Sequence, residues 1–339
     1  MTVSTRIQRV ALQRPDVFGI MREDLERVDA RVLQVAQVEF PEASSLVKDI
    51  VQAGGKRLRP LVLLLSGRSF EYEAEFDRLV TAAAGVELLH TASLIHDDTV
   101  DRSALRRGKP TLNSVLSAGA TILIGDYLFA QSAMLAAATE SVRVVAIFAS
   151  TLGDICDGQL REMFYGHILN QPQSDYEARI YGKTASLFAG AAEMGAVLGK
   201  APDDQIVALR QFGSDVGMAF QVVDDLLDLT GGTKDLGKPA GNDLRQGTIT
   251  IPTLYYAASL TEGSTEWTRL KRVASGDTSD GTEFDVVVSA IRASGAIEQT
   301  FALAESFVTS AKMRIASLPD SETRELLSEL ADFSLSRLS

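Results

Sequence analysis

Cysteine is nearly absent from the 339 residues: Cys156 stands alone, so neither an internal disulfide nor a thiolate metal cluster can form. Histidine is limited to His90, His96 and His167. Glu87-x-x-His90 therefore lacks the second Glu-x-x-His that a di-iron bundle needs. Only nine prolines occur, most of them at breaks between apolar stretches (Pro60, Pro110, Pro172, Pro202, Pro239, Pro252 and Pro319), and no alternating run is long enough to claim a strand. Positive charge is in deficit, 33 Lys and Arg against 45 Asp and Glu, which argues against non-specific nucleic-acid binding. Residues 1–15 contain no apolar run that reads as a signal peptide. The most apolar region, Pro110 to Thr139, is interrupted by Asp126 and reads as a buried core helix rather than a membrane span. A hydrophobic content of 45% excludes disorder over most of the length. A cytoplasmic protein with no stable membrane insertion is the expectation.

What is present is helical. Between Phe76 and Thr99, Leu79, Ala83, Val86, Leu89, Ala92 and Ile95 recur at the i, i+3, i+4 spacing of a core-facing stripe. Similar patterns predict helices over 118–138, 142–164, 184–198, 204–229, 252–260 and 296–318. Ten or more helices with short connections, no linker and no internal repeat predict an all-α bundle forming a single domain over residues 1–339. Cys156 and Trp267 read as packing residues, and His96 as a histidine satisfied within the helical fold. Two loops stand out. Residues 53–60 concentrate Lys56, Arg57 and Arg59 around Gly54, Gly55 and Pro60, and residues 231–247 carry Lys234, Asp235, Lys238, Asp243 and Arg245. Glycine-rich basic loops suit a phosphate or diphosphate. Gly232-x-x-x-x-Gly237-Lys238 is not a nucleotide loop, because Pro239 replaces the required Ser or Thr and the preceding element is helical.

The sharpest feature is Asp97-Asp98-Thr99-Val100-Asp101 at the end of an apolar helix. Asp97 and Asp101 are i, i+4 partners, with carboxylates about 5–6 Å apart on one face. Aspartates near a helix C-terminus oppose the macrodipole unless a cation neutralises them. Asp224-Asp225-Leu226-Leu227-Asp228 repeats the pattern near the end of another apolar helix. Two carboxylate sets without His or Cys describe a hard-cation site, and with a phosphate-bearing substrate they point to Mg²⁺. A solvated acidic surface, or plain salt bridging to Arg106 and Arg107, does not explain why two equal spacings each continue an apolar stripe.

Gly54-Gly55-Lys56-Arg57-Leu58-Arg59-Pro60, Asp97-Asp98-x-x-Asp101 with Arg106-Arg107-Gly108, Gly182-Lys183-Thr184 and Phe220-Gln221-x-x-Asp224-Asp225-x-x-Asp228 together resemble the ordered signature of the trans-isoprenyl diphosphate synthases. The resemblance covers residues 54–253. It implies an isoprenoid-synthase bundle around a central cavity, three Mg²⁺ ions and a homodimer. It also implies condensation of isopentenyl diphosphate with an allylic diphosphate (geranyl, farnesyl or geranylgeranyl). Asp97, Asp101 and Asp224 would be direct metal ligands, with Asp98, Asp225 and Asp228 direct or through water. Arg106, Lys183 and Lys238 would contact the allylic diphosphate. Lys56, Arg59, His90 and Arg107 would hold isopentenyl diphosphate, and Thr184 and Gln221 would offer oxygen dipoles to the allylic cation. One departure stands out: the family commonly has a lysine where Thr248 stands in Gln246-Gly247-Thr248-Ile249-Thr250, which puts one diphosphate contact in doubt.

If the allylic diphosphate is held at Asp97 and Asp101, its tail runs back along the same helix and meets Ala92 and Ser93 first, then Leu89, Val86 and Gly85. Ala133, Ala136, Ala137 and Ala138 on another helix are candidate walls, and Phe129 is a candidate aromatic stopper if it faces inward. The small Ala92 and Ser93 predict products longer than C20, in the C25–C50 range, whereas helix crossing alone would also favour small residues there. Three other readings compete: a short-chain farnesyl or geranylgeranyl diphosphate synthase, a class I terpene cyclase and a non-catalytic partner subunit. The cyclase has no use for the Lys56/Arg59 loop, and both intact aspartate motifs disfavour the partner subunit.

Overall fold

The computed structural model describes residues 17–37, 40–52, 55–106, 108–231, 240–277 and 281–337. Its helices are α1 (Val17–Ile20), α2 (Arg22–Val35), α3 (Pro41–Gln52), α4 (Leu58–Arg68), α5 (Tyr72–Val100), α6 (Leu112–Val115), α7 (Ala118–Ala138), α8 (Val142–Tyr165) and α9 (Gln173–Ile180). They continue as α10 (Ser186–Leu198), α11 (Asp203–Thr230), α12 (Asn242–Arg245), α13 (Ile251–Ser259), α14 (Thr265–Ala274), α15 (Gly281–Ala293), α16 (Ala296–Arg314) and α17 (Ser321–Ser336). The all-α expectation holds. Its one exception among the described residues is an antiparallel pair, β1 (Leu105–Arg106) with β2 (Lys109–Pro110). Two-residue strands are too short to leave an alternating trace in a sequence.

Local chemistry sets several boundaries. The Ser117, Ser141 and Ser264 hydroxyls accept from the backbone N–H three residues on, at 3.3, 3.3 and 3.2 Å, and cap α7, α8 and α14. Pro60 and Pro252 fall in the first turns of α4 and α13, where a missing N–H leaves no helical bond unmade. The loop expected over 53–60 thus ends at Arg57, whose φ of 51° turns the chain into α4. Within 231–247, residues 242–245 close into the single turn α12.

The buried centre is α10, where eleven of thirteen residues are buried. α4 and α11 cross it at backbone contact. A Cβ on Gly195 would collide with the Leu63 carbonyl oxygen, and one on Gly213 would collide with the Phe188 carbonyl oxygen; where α11 passes the start of α10, one on Gly217 would lie 2.5 Å from Ala185 Cα. Between α9 and α10, Tyr181–Ala185 winds as a π turn, a widening frequent at functional sites. α8 clamps that turn, since a Cβ on Gly182 would sit 2.7 Å from the Asp154 carbonyl oxygen and 2.8 Å from Gly158 Cα.

α5 and α7 pack together, and both are long and apolar enough to cross a membrane by length and composition. The most apolar window of α5 is 78% buried, that of α7 only 39%. The expected core helix within 110–139 is therefore corrected: α7 buries Leu128 and Leu135 but exposes Ile122, Leu123 and Met134. Being apolar on all sides, its sequence does not reveal which face is inward. Cys156 is likewise exposed on α8 rather than packed. Trp267 is half-buried, with Lys271 Nζ 5.1 Å from its ring centroid.

Because the Gly195 crossing meets rigid backbone, Gly195→Ala is expected to destabilise the chain by about 1–3 kcal/mol through overpacking. Equilibrium urea unfolding would measure it, and an unchanged midpoint would contradict the close α4/α10 crossing.

Candidate active site

Three backbone features bring the chemistry together. The last turn of α5 carries Asp97 and Asp98, with Asp101 just past its end. The C-terminal part of α11 carries Gln221, Asp224, Asp225 and Asp228. The π turn presents Lys183 and Thr184. Asp101, Glu162, Lys183, Thr184, Gln221, Asp225 and Asp243 all line one cavity of about 550 Å³.

Lys183 is the cationic centre of that cavity. Its ammonium is paired with Glu162. Burial opposes its charge, yet Glu162, Asp97 and Asp101 together raise its pKa. The carboxylates pay the desolvation more visibly. Burial pushes Asp97 up to about 6, with Asp101 and Glu162 adding to the rise and Lys183 and Arg106 opposing it. Asp101 is raised for the same primary reason, and so is Asp243, where the nearby charges of Asp228, Asp225 and Glu162 add to burial.

The remaining aspartates hold protein donors. Arg106 donates through Nε and Nη2 to the two oxygens of Asp98, at 2.8 and 2.9 Å. Asp225 accepts from Tyr176 Oη at 2.7 Å and Gln221 Nε2 at 2.9 Å. Its pKa is pushed up to about 7 by burial despite those donors. Thr184 Oγ1 donates to Gln221 Oε1 at 2.7 Å, so the two dipoles expected to face an allylic cation form one chain ending at Asp225. Asp228 accepts from the N–H groups of Asn242 and Asp243 at 3.1 and 3.2 Å, and Asp224 pairs with Arg337 Nη2 at 2.6 Å.

A second cationic group lies beside α4. Arg59 Nη1 is 3.1 Å from His90 Nε2, and its guanidinium stacks 4.5 Å from the Phe188 ring. Lys56 Nζ lies 4.2 Å from the Phe333 ring, and burial followed by the charge of Arg337 lowers its pKa. Arg337 in turn covers Phe220 at 3.9 Å, which links this group to Asp224. Arg57 differs from its neighbours. It donates to Asp29 at 2.7 Å, Glu87 at 2.5 Å and the Val51 carbonyl at 2.8 Å, fastening the helices around the loop. Gly54, Arg107, Lys234, Asp235 and Lys238 lie outside the described residues.

The length-metering residues are placed differently. Leu89 and Ala92 are fully buried and Ser93 is half-buried, but none of them lines the polar cavity. Ala133, Ala137 and Ala138 face outward on α7 and cannot be walls within this chain, whereas Ala136 faces inward. Phe129 packs edge-on against His96, with centroids 5.0 Å apart. His96 itself lies 3.1 Å from the Ile122 carbonyl and 3.5 Å from Asp126.

The donors fit a hard divalent cation. They are carboxylate oxygens, and those of Asp97 and Asp101 are desolvated enough to raise their pKa values. No group of three or more metal-ligating side chains converges among the described residues. Mg²⁺ asks for no such cage, because it keeps waters and combines one or two carboxylates with substrate phosphates. Sequence reasoning missed Glu162, Tyr176, Arg179 and Arg337. Each lies remote in sequence from the group it serves, and only Asp243 stood within a segment already marked as basic and glycine-rich.

Over residues 41–291 the chain matches the family model described as polyprenyl synthetase. It is 37% identical over 315 residues to heptaprenyl diphosphate synthase component 2 of Geobacillus stearothermophilus, covering 93% of this chain and 96% of that one. The structure of a polyprenyl synthase from Caulobacter crescentus CB15, complexed with calcium and isoprenyl diphosphate, aligns with TM-score 0.89 and 35% identity over 95% of this chain and 97% of the other. A decaprenyl diphosphate synthase from Rhodobacter capsulatus aligns with TM-score 0.88 and 36% identity, over 95% and 98% of the two chains.

The raised carboxylate pKa values set a pH dependence. With the folded values of Asp97 and Asp225 near 6 and 7, above the usual value of about 4, the folded chain binds the extra protons. Their contribution to the stability of the metal-free protein therefore falls as pH rises from about 4 to 7. Cation binding releases those protons, so the thermal shift produced by saturating Mg²⁺ should be larger at about pH 8 than at about pH 5.5. Equal shifts in scanning calorimetry would separate these carboxylates from the metal.

Proposed function

The chain belongs to the polyprenyl synthetase family and is a prenyltransferase; on that premise we propose that it condenses isopentenyl diphosphate with an allylic diphosphate. The product is a linear trans-polyprenyl diphosphate longer than C20. The observation that carries this reading is the cavity where carboxylates from the end of α5, from α8 and from α11 surround Lys183.

In this reading residues 1–339 form one catalytic domain, and Asp97, Asp101 and Asp224 would hold three Mg²⁺ ions, which would supply charge neutralisation for the departing diphosphate. Lys183, fixed by Glu162, adds a positioned ammonium to the same diphosphate. Arg106 is aimed by its two-point bond to Asp98. The Thr184–Gln221–Asp225–Tyr176 chain locks the Gln221 amide in one orientation. Lys56, Arg59 and His90, together with Arg337, form the site for isopentenyl diphosphate. A terpene cyclase, which takes one diphosphate, has no need of that second group.

The heptaprenyl and decaprenyl names of the relatives support a product in the C25–C50 range, as do the small side chains at Ala92 and Ser93. We further propose that two copies pair through the exposed apolar face of α7. One observation favours a different partner: the Geobacillus relative is named as a component of its synthase. Turnover by the purified chain alone distinguishes the two arrangements.

Incubating the purified chain with farnesyl diphosphate, isopentenyl diphosphate and Mg²⁺ should give products longer than C20 by mass spectrometry. No condensation product would overturn the reading. Asp97→Ala should lower kcat by at least about 10²-fold by removing charge stabilisation of the leaving group, and a near wild-type rate would exclude Asp97 as a ligand. Ala92→Phe should shorten the product to about C15–C20, because one helical turn advances about 5.4 Å, close to one extended isoprene unit. An unchanged distribution would place the tail elsewhere.

A further inference from the structure

Arg179, at the end of α9, is 3% exposed and lines the same cavity as Lys183, Asp101, Asp225 and Asp243. One terminal nitrogen, Nη2, donates to the Ile249 carbonyl at 2.5 Å. The other, Nη1, is buried with no hydrogen-bond partner among the described residues. It lies beside Gly166, where a Cβ would come within 3.2 Å of it. A buried, half-satisfied guanidinium is costly, and its planar fork matches a phosphate better than any other side chain does.

The segment that Arg179 touches is the one that departs from the family pattern. Thr248 stands where the resemblance to the trans-isoprenyl diphosphate synthases implies a lysine, and Thr248 and Thr250 line the cavity with Arg179. The segment is firmly placed: Ile249 N–H donates to the Gly166 carbonyl at 2.8 Å, and His167 Nδ1 lies 2.7 Å from the Gly247 carbonyl oxygen. Arg179 therefore brings a fixed positive charge to the neighbourhood of the missing ammonium, from a different helix. We propose that Arg179 is a substrate-binding residue that turns its guanidinium from beside Gly166 into the cavity when the allylic diphosphate binds, so that the unpartnered Nη1 takes over the contact that Thr248 cannot make. This rests on the prenyltransferase reading above.

The competing role is purely structural, with Arg179 only pinning Ile249. Arg179→Met should raise the KM for farnesyl diphosphate about tenfold or more, since a hydrogen bond to a charged group is lost, and leave the KM for isopentenyl diphosphate nearly unchanged. It should also weaken binding of inorganic pyrophosphate in the presence of Mg²⁺. Adding Thr248→Lys to that variant should restore most of the farnesyl diphosphate KM, a rescue that a structural role does not provide. A folded Arg179→Met variant with unchanged farnesyl diphosphate KM would overturn the proposal, as would equal losses for both substrates without rescue by Thr248→Lys. Should Arg179→Met not fold, a crystal structure of the wild-type chain with Mg²⁺ and an unreactive farnesyl thiodiphosphate decides the matter. Nη1 hydrogen-bonded to the diphosphate supports the proposal, and a diphosphate out of its reach refutes it. Wild-type protein that condenses nothing would instead sink the prenyltransferase reading itself.

Discussion

The site depends on how closely the backbone approaches itself around α10 and the π turn before it. Helices with ordinary side chains at their contacts stand about 8–10 Å apart. Here Gly195, Gly217 and the Gly158/Gly182 pair remove the Cβ atoms that would hold neighbouring helices apart. α8 therefore comes near enough for Glu162 to pair with Lys183, and α11 near enough for Gln221 to accept from Thr184. Steric contact between main chains fixes these distances before any charge acts.

Charge is then arranged in two layers. Asp98, Asp225 and Asp228 hold donors from the protein itself, namely a guanidinium, a phenol with an amide, and two backbone N–H groups. These contacts make them rigid supports for the aspartates beside them. Burial raises the pKa values of Asp97 and Asp101 as it does that of Asp225, and the charges of neighbouring carboxylates add to the rise. The folded chain therefore carries an excess of negative charge that a divalent cation relieves. Preorganisation of this kind lets electrostatic stabilisation act without rearrangement during the reaction.

Much of this was legible in the sequence. The stripe from Phe76 to Thr99 matches α5 at Tyr72–Val100, and 118–138 matches α7 at both ends, because the apolar spacing that marks a helix is a local signal. The aspartate sets and the Lys183-Thr184 step were legible because short spacings on a helix fix which side chains share a face. Three kinds of feature were not. Arg337 reaches Asp224 and Tyr176 reaches Asp225 across the bundle, and no spacing encodes such pairs. The inward face of α7 was hidden by its uniform apolarity, so Ala133, Ala137 and Ala138 were misplaced as walls. Arg57 looked like its neighbours Lys56 and Arg59, yet its left-handed φ of 51° turns it away from them, toward Asp29 and Glu87.

The π turn at Tyr181–Ala185 has a consequence for what lies on either side of it. Such a turn holds one residue more than an α turn, and α9 and α10 follow one another through it without a break. If the same residues wound as regular α-helix, one helix would rotate against the other by about 100°. Tyr176 would swing off Asp225, Arg179 would leave Ile249, and Lys183 would lose its alignment with Glu162, all without a change in any of those side chains. The extra residue acts as a phase setting between a helix anchored in the core and one that supports the cavity wall. Point substitution can adjust the chemistry of this segment, but its length is fixed by the geometry it keeps in register.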